Sequence, residues 1–350
     1  MIRSTLLALC LPVSAGVITV PDPSSPLPEG ETVVWSPLFQ ATWDAMNKEN
    51  GGKPEKIEPP NELMARLDAF DWKADAVMPE GAWKTWAGIA TPDFLNRVNM
   101  EAAQMTGEAE GPFRLSGEGI PGTIACFGLL DREVEFTDPF YRSAKVPLEF
   151  GKGKSPVRFF GATGEEADRY GESVSVLAYR PVDGSYALEI SCKGMDDKVI
   201  LYCPSKAQDF ATACRWIKEW RMNFDKSDAL PGNWDDRHLH EGDEVRVPYV
   251  TLDATADFAD LLQGGRYHGN ADDPWKIRIA EQKAKFKLHE QGASVRAEAS
   301  IEADPFFTEP ETYPRRFIYD RPFFVFLWRE KAEWPYLGVW VGDVSALRKF

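Results

Sequence analysis

The pattern of apolar positions predicts a chain that begins with helices and continues with strands. A helix is predicted to open at Pro37 and to stop at Gly51–Gly52, and further helical patterns lie at 60–71, 92–106 and 207–220. Alternating or short apolar runs predict strands at 121–130, 155–160, 173–179, 186–192, 198–203, 244–252, 275–288, 321–328 and 336–342. This order of elements predicts the α+β class, with N-terminal helices followed by large antiparallel β-sheets.

One segment near the C-terminus, HEQGASVRAEASIEADPFF from residue 289 to residue 307, has an unusual composition for its pattern. Its apolar positions are Ala293, Val295, Ala297, Ala299, Ile301 and Ala303. The intervening positions are Ser294, Arg296, Glu298, Ser300, Glu302 and Asp304. Period-two alternation predicts a strand with one buried face, although alanine is a poor strand former. The alternative is an exposed helix, which would scatter the same apolar set around its cylinder.

Length and charge narrow the class of protein. The chain has 350 residues, of which 43% are hydrophobic, enough for one large domain or two ordinary ones. The net charge of -15 and the pI near 4.9, with no basic stretch to offset them, argue against nucleic acid or an anionic membrane surface as a partner.

The N-terminus predicts export. A single Arg3, a short apolar run from Leu6 to Leu11 and the small residues Val13–Ser14–Ala15 are typical of a secretory signal peptide over residues 1–15. The alternative is a buried N-terminal strand. No other run approaches the ~18 apolar residues of a membrane span. The mature chain is therefore expected to be secreted or periplasmic.

Candidate chemistry is sparse. Four cysteines remain after the signal peptide; they could form two bridges, but their spacing fits no disulfide framework or zinc motif, which favours buried free thiols. They are Cys126, Cys192, Cys203 and Cys214. His238 and His240 lie among acidic residues, where they could hold a metal or belong to a solvated loop. No catalytic constellation is visible, so neither an enzyme nor a cofactor or metal site is predicted.

Several segments together resemble the serpin family of protease inhibitors. QKAKFKLHEQGASVRAEAS, RRFIYDRPFFVFLWRE and WVGDV are similar to the C-terminal third of that family. Four earlier segments match in the right order: VVWSPLFQATWDAM, EFTDPFYRSAKVPLEF, YALEISCKGMDDKVILYCPSK and EVRVPYVTLDATADFADLLQGG. Together these segments span most of residues 32–344.

The resemblance implies a single serpin-like domain over residues 16–350, expected to be a monomer, with an exposed reactive loop at 290–320. In serpins a protease cuts this loop, and the N-terminal part of the loop then inserts into the central sheet and carries the acyl-linked protease with it. The implied hinge and insertion face are Glu290, Gly292, Ala293, Val295, Ala297, Ala299, Ile301 and Ala303. The implied function is inhibition of a serine or cysteine protease. The alternative is a non-inhibitory binding protein that presents the same loop.

The family spacing also implies a cleavage site. Counting from Glu290 places the cut at Phe306–Phe307, which suits a chymotrypsin-like protease, whereas counting back from Arg321–Pro322 places it near Glu311–Thr312.

The chain departs from the family at a buried polar cluster and at one aromatic position. Phe39, Gln282 and Gly128 stand where serpins have Ser, His and Asn, and Phe136 replaces a Trp. Val295 and Arg296 lie where the hinge is usually a run of alanines.

Overall fold

The computed structural model describes residues 17–49, 61–109, 112–113, 115, 118–143, 145–194, 196–226, 237–262, 266–268, 274–293 and 314–350. The helices are α1 (Leu38–Glu49), α2 (Glu62–Ala69), α3 (Ala74–Val77), α4 (Pro92–Thr106) and α5 (Phe210–Met222). The strands are β1 (Ile18–Val20), β2 (Val33–Trp35), β3 (Trp83–Ile89), β4 (Thr123–Leu130), β5 (Val134–Glu135), β6 (Tyr141–Arg142), β7 (Leu148–Phe150), β8 (Ser155–Val157), β9 (Phe159–Ala162), β10 (Val174–Arg180), β11 (Ser185–Ser191), β12 (Asp197–Cys203), β13 (Asp225–Lys226), β14 (Glu244–Pro248), β15 (Val250–Asp257), β16 (Arg266–His268), β17 (Pro274–His289), β18 (Gly292–Ala293), β19 (Arg316–Ile318), β20 (Phe323–Arg329) and β21 (Leu337–Val341).

The longer helices begin where the sequence supplies a side-chain acceptor for their first free amides. Thr91 accepts a hydrogen bond from Phe94 N at the start of α4, and Asp209 accepts one from Thr212 N at the start of α5. Such caps satisfy backbone donors that have no partner within the helix. At its other end α4 stops at Gly107, whose φ of 68° only glycine adopts without strain.

An eight-stranded sheet forms one half of the described fold, in the order β1-β2-β21-β20-β12-β11-β10-β13. The predicted hairpin of β11 and β12 is confirmed, and β12 continues antiparallel to β20. Helix α5 covers one face, where Phe210 packs on Phe324 with a ring-centroid separation of 5.5 Å. Because the opposite face is also buried, the central strands read as continuous apolar runs.

A seven-stranded sheet carries the candidate site. Its main order is β3-β4-β17-β18-β5, and β15 and β16 pair with the other edge of β17. Helix α1 packs on one face, beneath Cys126 and Ala280, and helix α4 packs on the other, over Ala125 and Phe127. Strand β4 is therefore buried along its whole length.

A four-stranded sheet has the order β19-β14-β9-β6. Its strand β19 is the first strand after residues 294–313, which lie outside the described part. Arg315 is fully buried and pairs with Asp243, which is 2% exposed, at 2.8 Å between Nη2 and Oδ2. Asp243 also accepts the backbone N–H of Arg315 at 2.8 Å. This pair ties the chain that enters β19 to the segment that precedes β14.

The α+β prediction is confirmed, and the departures from the predicted elements are local. The stretch 244–252 is two strands: Tyr249 separates β14 from β15, and the two belong to different sheets. Strand β3 was not predicted because only Trp86 among its residues is buried, so its apolar pattern is weak. Cys126, Cys192, Cys203 and Cys214 are free and buried, and burial raises the pKa of Cys126 to about 12.

Backbone atoms of His238 and His240 contact the Arg315–Asp243 pair. The His238 carbonyl accepts a hydrogen bond from Arg315, and His240 N donates to Asp243 at 3.0 Å. Within the described ranges, no cluster of His, Cys, Asp and Glu is placed to hold a metal ion. Within the same ranges, no helix is both long and apolar enough to cross a membrane.

The buried Arg315–Asp243 pair generates a stability prediction. We expect Asp243→Asn to lower the free energy of unfolding by about 3 kcal/mol or more, because it removes the carboxylate that pairs with a fully buried guanidinium. Urea unfolding followed by tryptophan fluorescence measures this loss. The matched control is Asp71→Asn at an exposed position, expected to change stability by less than about 0.5 kcal/mol. Equal stabilities for the two variants would contradict the assignment of Asp243 as an anchor.

Candidate functional site

Strand β17 is the axis of the candidate site. It is 16 residues long and pairs along one edge with β15 in antiparallel fashion. Along the other edge it pairs with β4 in parallel fashion, from Lys276↔Thr123 to Ala284↔Leu130. We call this parallel β17–β4 pairing the seam. Even-numbered residues from Ala280 to Leu288 are buried, and the odd-numbered ones face the side of the sheet that carries α4.

The predicted hinge residues lie inside the seven-stranded sheet. After His289 the chain turns, and Gly292–Ala293 returns as β18 between β17 and β5, antiparallel to both. Phe136 N donates to the Gln291 carbonyl at 2.7 Å, and Phe140 N to the Glu290 carbonyl at 2.9 Å. Ala293 is buried, with 1% of its surface exposed. We call residues 290–293 the hinge; within it, Gly292 and Ala293 pair with both β17 and β5.

Gly292 is the residue that makes this close packing possible. Its φ is 149°, and a Cβ at this position would lie 2.1 Å from the Val134 carbonyl oxygen. A larger side chain would therefore push β18 away from β5.

An ion pair between the buried Glu290 and the partly exposed Arg142 fixes the turn at the start of the hinge. Glu290 is 4% exposed, and Arg142 Nε on β6 donates to its Oε1 at 2.6 Å. His289 Nδ1 accepts the Gln291 N–H at 3.2 Å, which requires that nitrogen to be unprotonated. Burial lowers the pKa of His289, and the cations Arg142 and Lys287 lower it further against the opposing effect of Glu290 and Glu133. The turn is thus built for a neutral imidazole.

A cleft opens between the end of the seam and the start of the hinge pairing. The seam ends at Ala284↔Leu130, and β18 pairs with β17 from Leu288↔Ala293 onward. Between these points lies a cleft of about 580 Å³, which we call the insertion cleft. Its lining residues come from β4 and the following turn, β15, β17 and the chain after α4: Thr106, Glu108, Pro112, Leu129, Leu130, Asp131, Glu133, Thr251, Leu252, Asp253, Lys283, Lys285, Phe286 and Lys287.

The seam carries a buried amide without a partner. Gln282 is 1% exposed, and neither its Oε1 nor its Nε2 has a hydrogen-bond partner in the described structure. Its neighbour across the seam is Gly128, where a Cβ would lie 2.6 Å from Thr42 Oγ1 on α1. A buried unpaired amide costs about 1–3 kcal/mol, so this point weakens the closed sheet.

The structure brings together two of the three residues that replace the serpin polar cluster. Gln282 and Gly128 are adjacent across the seam, whereas Phe39 lies in an apolar cluster on the α1 side and packs on Phe258 at a centroid separation of 4.4 Å. Phe136, which stands in place of the family's Trp, is fully buried.

Part of the predicted site lies outside the described residues. Val295, Ala297, Ala299, Ile301, Ala303, Phe306 and Phe307 all fall within 294–313. Of the predicted loop 290–320, the described ends are the hinge on one side and Arg315 with β19 on the other.

Three functional features were missed from the sequence. Arg142 and Asp243 gave no signal because their partners lie 148 and 72 positions away in the chain. The three lysines of the insertion cleft did have a signal, the alternation in KAKFK at 283–287.

Comparison with known proteins identifies the architecture. No family model matches the chain, and no curated protein matches by sequence. A thermophilic serpin, tengpin, in its native state has a TM-score of 0.59 at 10% identity, covering 91% of this chain and 90% of that one. Human thyroxine-binding globulin in complex with thyroxine has a TM-score of 0.55 at 14% identity, covering 90% of this chain and 92% of that one. A serpin from the trematode Schistosoma haematobium has a TM-score of 0.55 at 11% identity, covering 90% of this chain and 94% of that one. The chain therefore has the serpin fold.

The partly buried Glu281, within the seam, generates a pH prediction. Burial raises the pKa of Glu281 to about 7, Asp257 acts in the same direction, and Lys283 opposes them. The folded state therefore binds more protons than the unfolded state between about pH 4.5 and pH 7, and this carboxyl destabilises the fold as the pH rises through that window. We expect Glu281→Gln to raise the melting temperature at pH 8 relative to the parent, and to gain much less at pH 5.

Thermal unfolding at pH 5, 6, 7 and 8 checks this expectation. Glu330→Gln, at an exposed position in the turn after β20, is the control and should show no such trend. A gain from Glu281→Gln that is the same at every pH would contradict the titration of Glu281.

Proposed function

We propose that this chain is a secreted or periplasmic inhibitor of an endopeptidase, which traps a serine or cysteine protease when its loop is cut and residues 290–307 insert into the seven-stranded sheet. The observation that carries the proposal is β18, because the hinge already pairs with both β17 and β5. Insertion would then extend an existing strand rather than start a new one.

The register of β18 supports the predicted insertion face. If the β18–β17 and β18–β5 ladders continued beyond Ala293 on insertion, Ala297 would lie between Ala284 and Leu130, and Ala299 would lie between Gln282 and Gly128. The four flanking residues lie on buried faces of their strands. Small inward side chains suit this narrow space between two packed strands, which explains why alanine occupies strand-like positions.

The energetics of the seam also favour insertion. An added strand would replace the parallel β17–β4 pairing with two antiparallel ladders, and parallel pairing is slightly less stable per residue. The added strand would also fill the insertion cleft and so bury the surface that lines it. The intact protein would then be a kinetically trapped form whose loop is held at both ends until a protease cuts it.

The proposed target is a chymotrypsin-like protease that reads Phe306, with the cut at Phe306–Phe307. A second function from another class is a non-inhibitory binding protein that uses the same loop as a ligand or partner site. It is favoured by Phe39, Gln282 and Gly128, which replace the polar cluster of the family, and by the likeness to a hormone-binding globulin. In either case the chain acts without catalytic residues of its own.

Trapping is tested by cutting the loop. We expect a nick between Asp304 and Thr308 to raise the melting temperature substantially, and a mixture with chymotrypsin to give an SDS-stable complex. The comparison variant is Ala297→Asp, which would bury an unpaired charge at several kcal/mol of cost, so the protease should cut it and escape. If the nicked parent melts at or below the intact temperature and forms no complex, the non-inhibitory function is the correct one.

Specificity is tested at Phe306. We expect Phe306→Arg to shift reactivity from chymotrypsin towards trypsin, because a cationic side chain requires an acidic pocket floor. The matched variant is Glu311→Arg, which should leave the preference unchanged. Mass spectrometry of the cut loop gives the bond directly. A shift with Glu311→Arg alone would move the cleavage site to Glu311–Thr312.

A further inference from the structure

A second cavity, which we call the aromatic cavity, lies away from the loop and outside the seven-stranded sheet. It lies between the chain that precedes β2, the start of α1, the end of α2 and the turn after β20, and its volume is about 300 Å³. Three aromatic side chains line it: Trp35, Phe70 and Trp334. The Trp334 ring packs on Phe70 at a centroid separation of 5.1 Å and on Trp35 at 6.0 Å, so the rings hold one another in place. Concave, mostly apolar walls around a volume of this order are typical of small-molecule sites.

One buried polar side chain lines the aromatic cavity with an unused acceptor. Gln40 is 5% exposed, and its Nε2 donates to Asp44 Oδ1 and to the Leu67 carbonyl, both at 2.8 Å. Both partners are acceptors, so the amide nitrogen must point to them and both of its hydrogens are used. The Oε1 of Gln40 has no hydrogen-bond partner among the described residues, and it is not fully enclosed. A bound molecule with a donor can therefore satisfy this oxygen.

The charged groups that line the aromatic cavity are already paired. Asp22 is 6% exposed, and its carboxylate accepts hydrogen bonds from Ser24 N and Ser25 Oγ, both at 3.0 Å. The same carboxylate lies 3.3 Å from Arg66 Nη2, and Arg66 Nη1 lies 4.0 Å from Glu62 one turn earlier in α2. Because carboxylates neutralise this guanidinium in a protein whose net charge is -15, an anion gains little here. The cavity therefore suits a neutral ligand.

We propose that the aromatic cavity binds a small neutral aromatic molecule with one hydrogen-bond donor, of the indole or phenol class. The ring packs against Trp334 and Phe70, and the donor reaches Gln40 Oε1. Aromatic walls give such a ring both apolar burial and ring–ring contacts, and the donor supplies the hydrogen bond that Gln40 lacks. The inference does not rest on the proposed function, because none of the lining residues belongs to the loop or to the seven-stranded sheet.

Titration calorimetry of the intact protein with three probes tests the ligand class. Indole is the donor probe, indene has the same shape without the N–H, and benzoate is an aromatic anion. We expect indole to bind at one site per chain. Indene should bind at least about tenfold more weakly, because it leaves the Gln40 oxygen unpaired. Benzoate should also bind more weakly than indole, because its charge finds no free cation in the cavity.

Blocking variants test the location of the site. Ala69→Phe on α2 and Ala211→Phe on α5 place a ring in the cavity and should each weaken indole binding more than tenfold. The matched control is Ala65→Phe, one turn earlier at an exposed position of α2 that does not line the cavity, which should leave the affinity unchanged. Thermal unfolding checks that each variant is folded, and either blocking variant is sufficient for the test.

Three outcomes would overturn the proposal. The first is the absence of saturable indole binding. The second is an indole affinity that a folded blocking variant leaves unchanged, which would place the ligand elsewhere. The third is indene or benzoate binding as tightly as indole, which would contradict a neutral ligand held through a donor at Gln40. None of these measurements involves the loop, so they leave the test of protease trapping independent.

Discussion

The fold depends on how one edge of β17 is divided between two partners. Its first half pairs in parallel with β4, and its last two residues pair antiparallel with β18. Both cannot extend along the same hydrogen-bonding edge, so where one ladder ends the other must begin. Gly292 lets β18 approach β5, and the Glu290–Arg142 pair fixes the preceding turn. The cleft between the two ladders is the space that this division leaves.

The two ends of the loop are held by the same chemistry in different sheets. Arg142 holds Glu290 at the start of the hinge, and Asp243 holds Arg315 before β19. Release of either end would separate a buried charged side chain, Glu290 or Arg315, from its ion-pair partner, so each pair opposes release of its end. In the proposed function, a chain held at both ends would be divided into an inserting part and a retained part only by a cut between them. The tethering and the proposed dependence on proteolysis thus have one physical origin.

The likeness to serpins is a likeness of backbone more than of side chains. At 10–14% identity the strands and helices of the fold are kept over nine-tenths of the chain. At the seam the chain uses Gly128 and an unpaired Gln282, with Phe39 in an apolar cluster beside α1. Apolar packing from α1 and α4 therefore stabilises this region without a polar network. The seam is weakened at Gln282, whose amide has no hydrogen-bond partner among the described residues.

The sequence by itself determined the α+β class, the four long helices and most strands, because these follow from local periodicity and capping. It also favoured free, buried cysteines, and the four cysteines of the described chain are free and buried. Only the tertiary structure decided that 244–252 belongs to two sheets, that Arg142 and Asp243 hold the loop ends, and that Gly128 lies beside Gln282. These depend on residues distant in the chain, and period alone carries no information about which strand lies alongside.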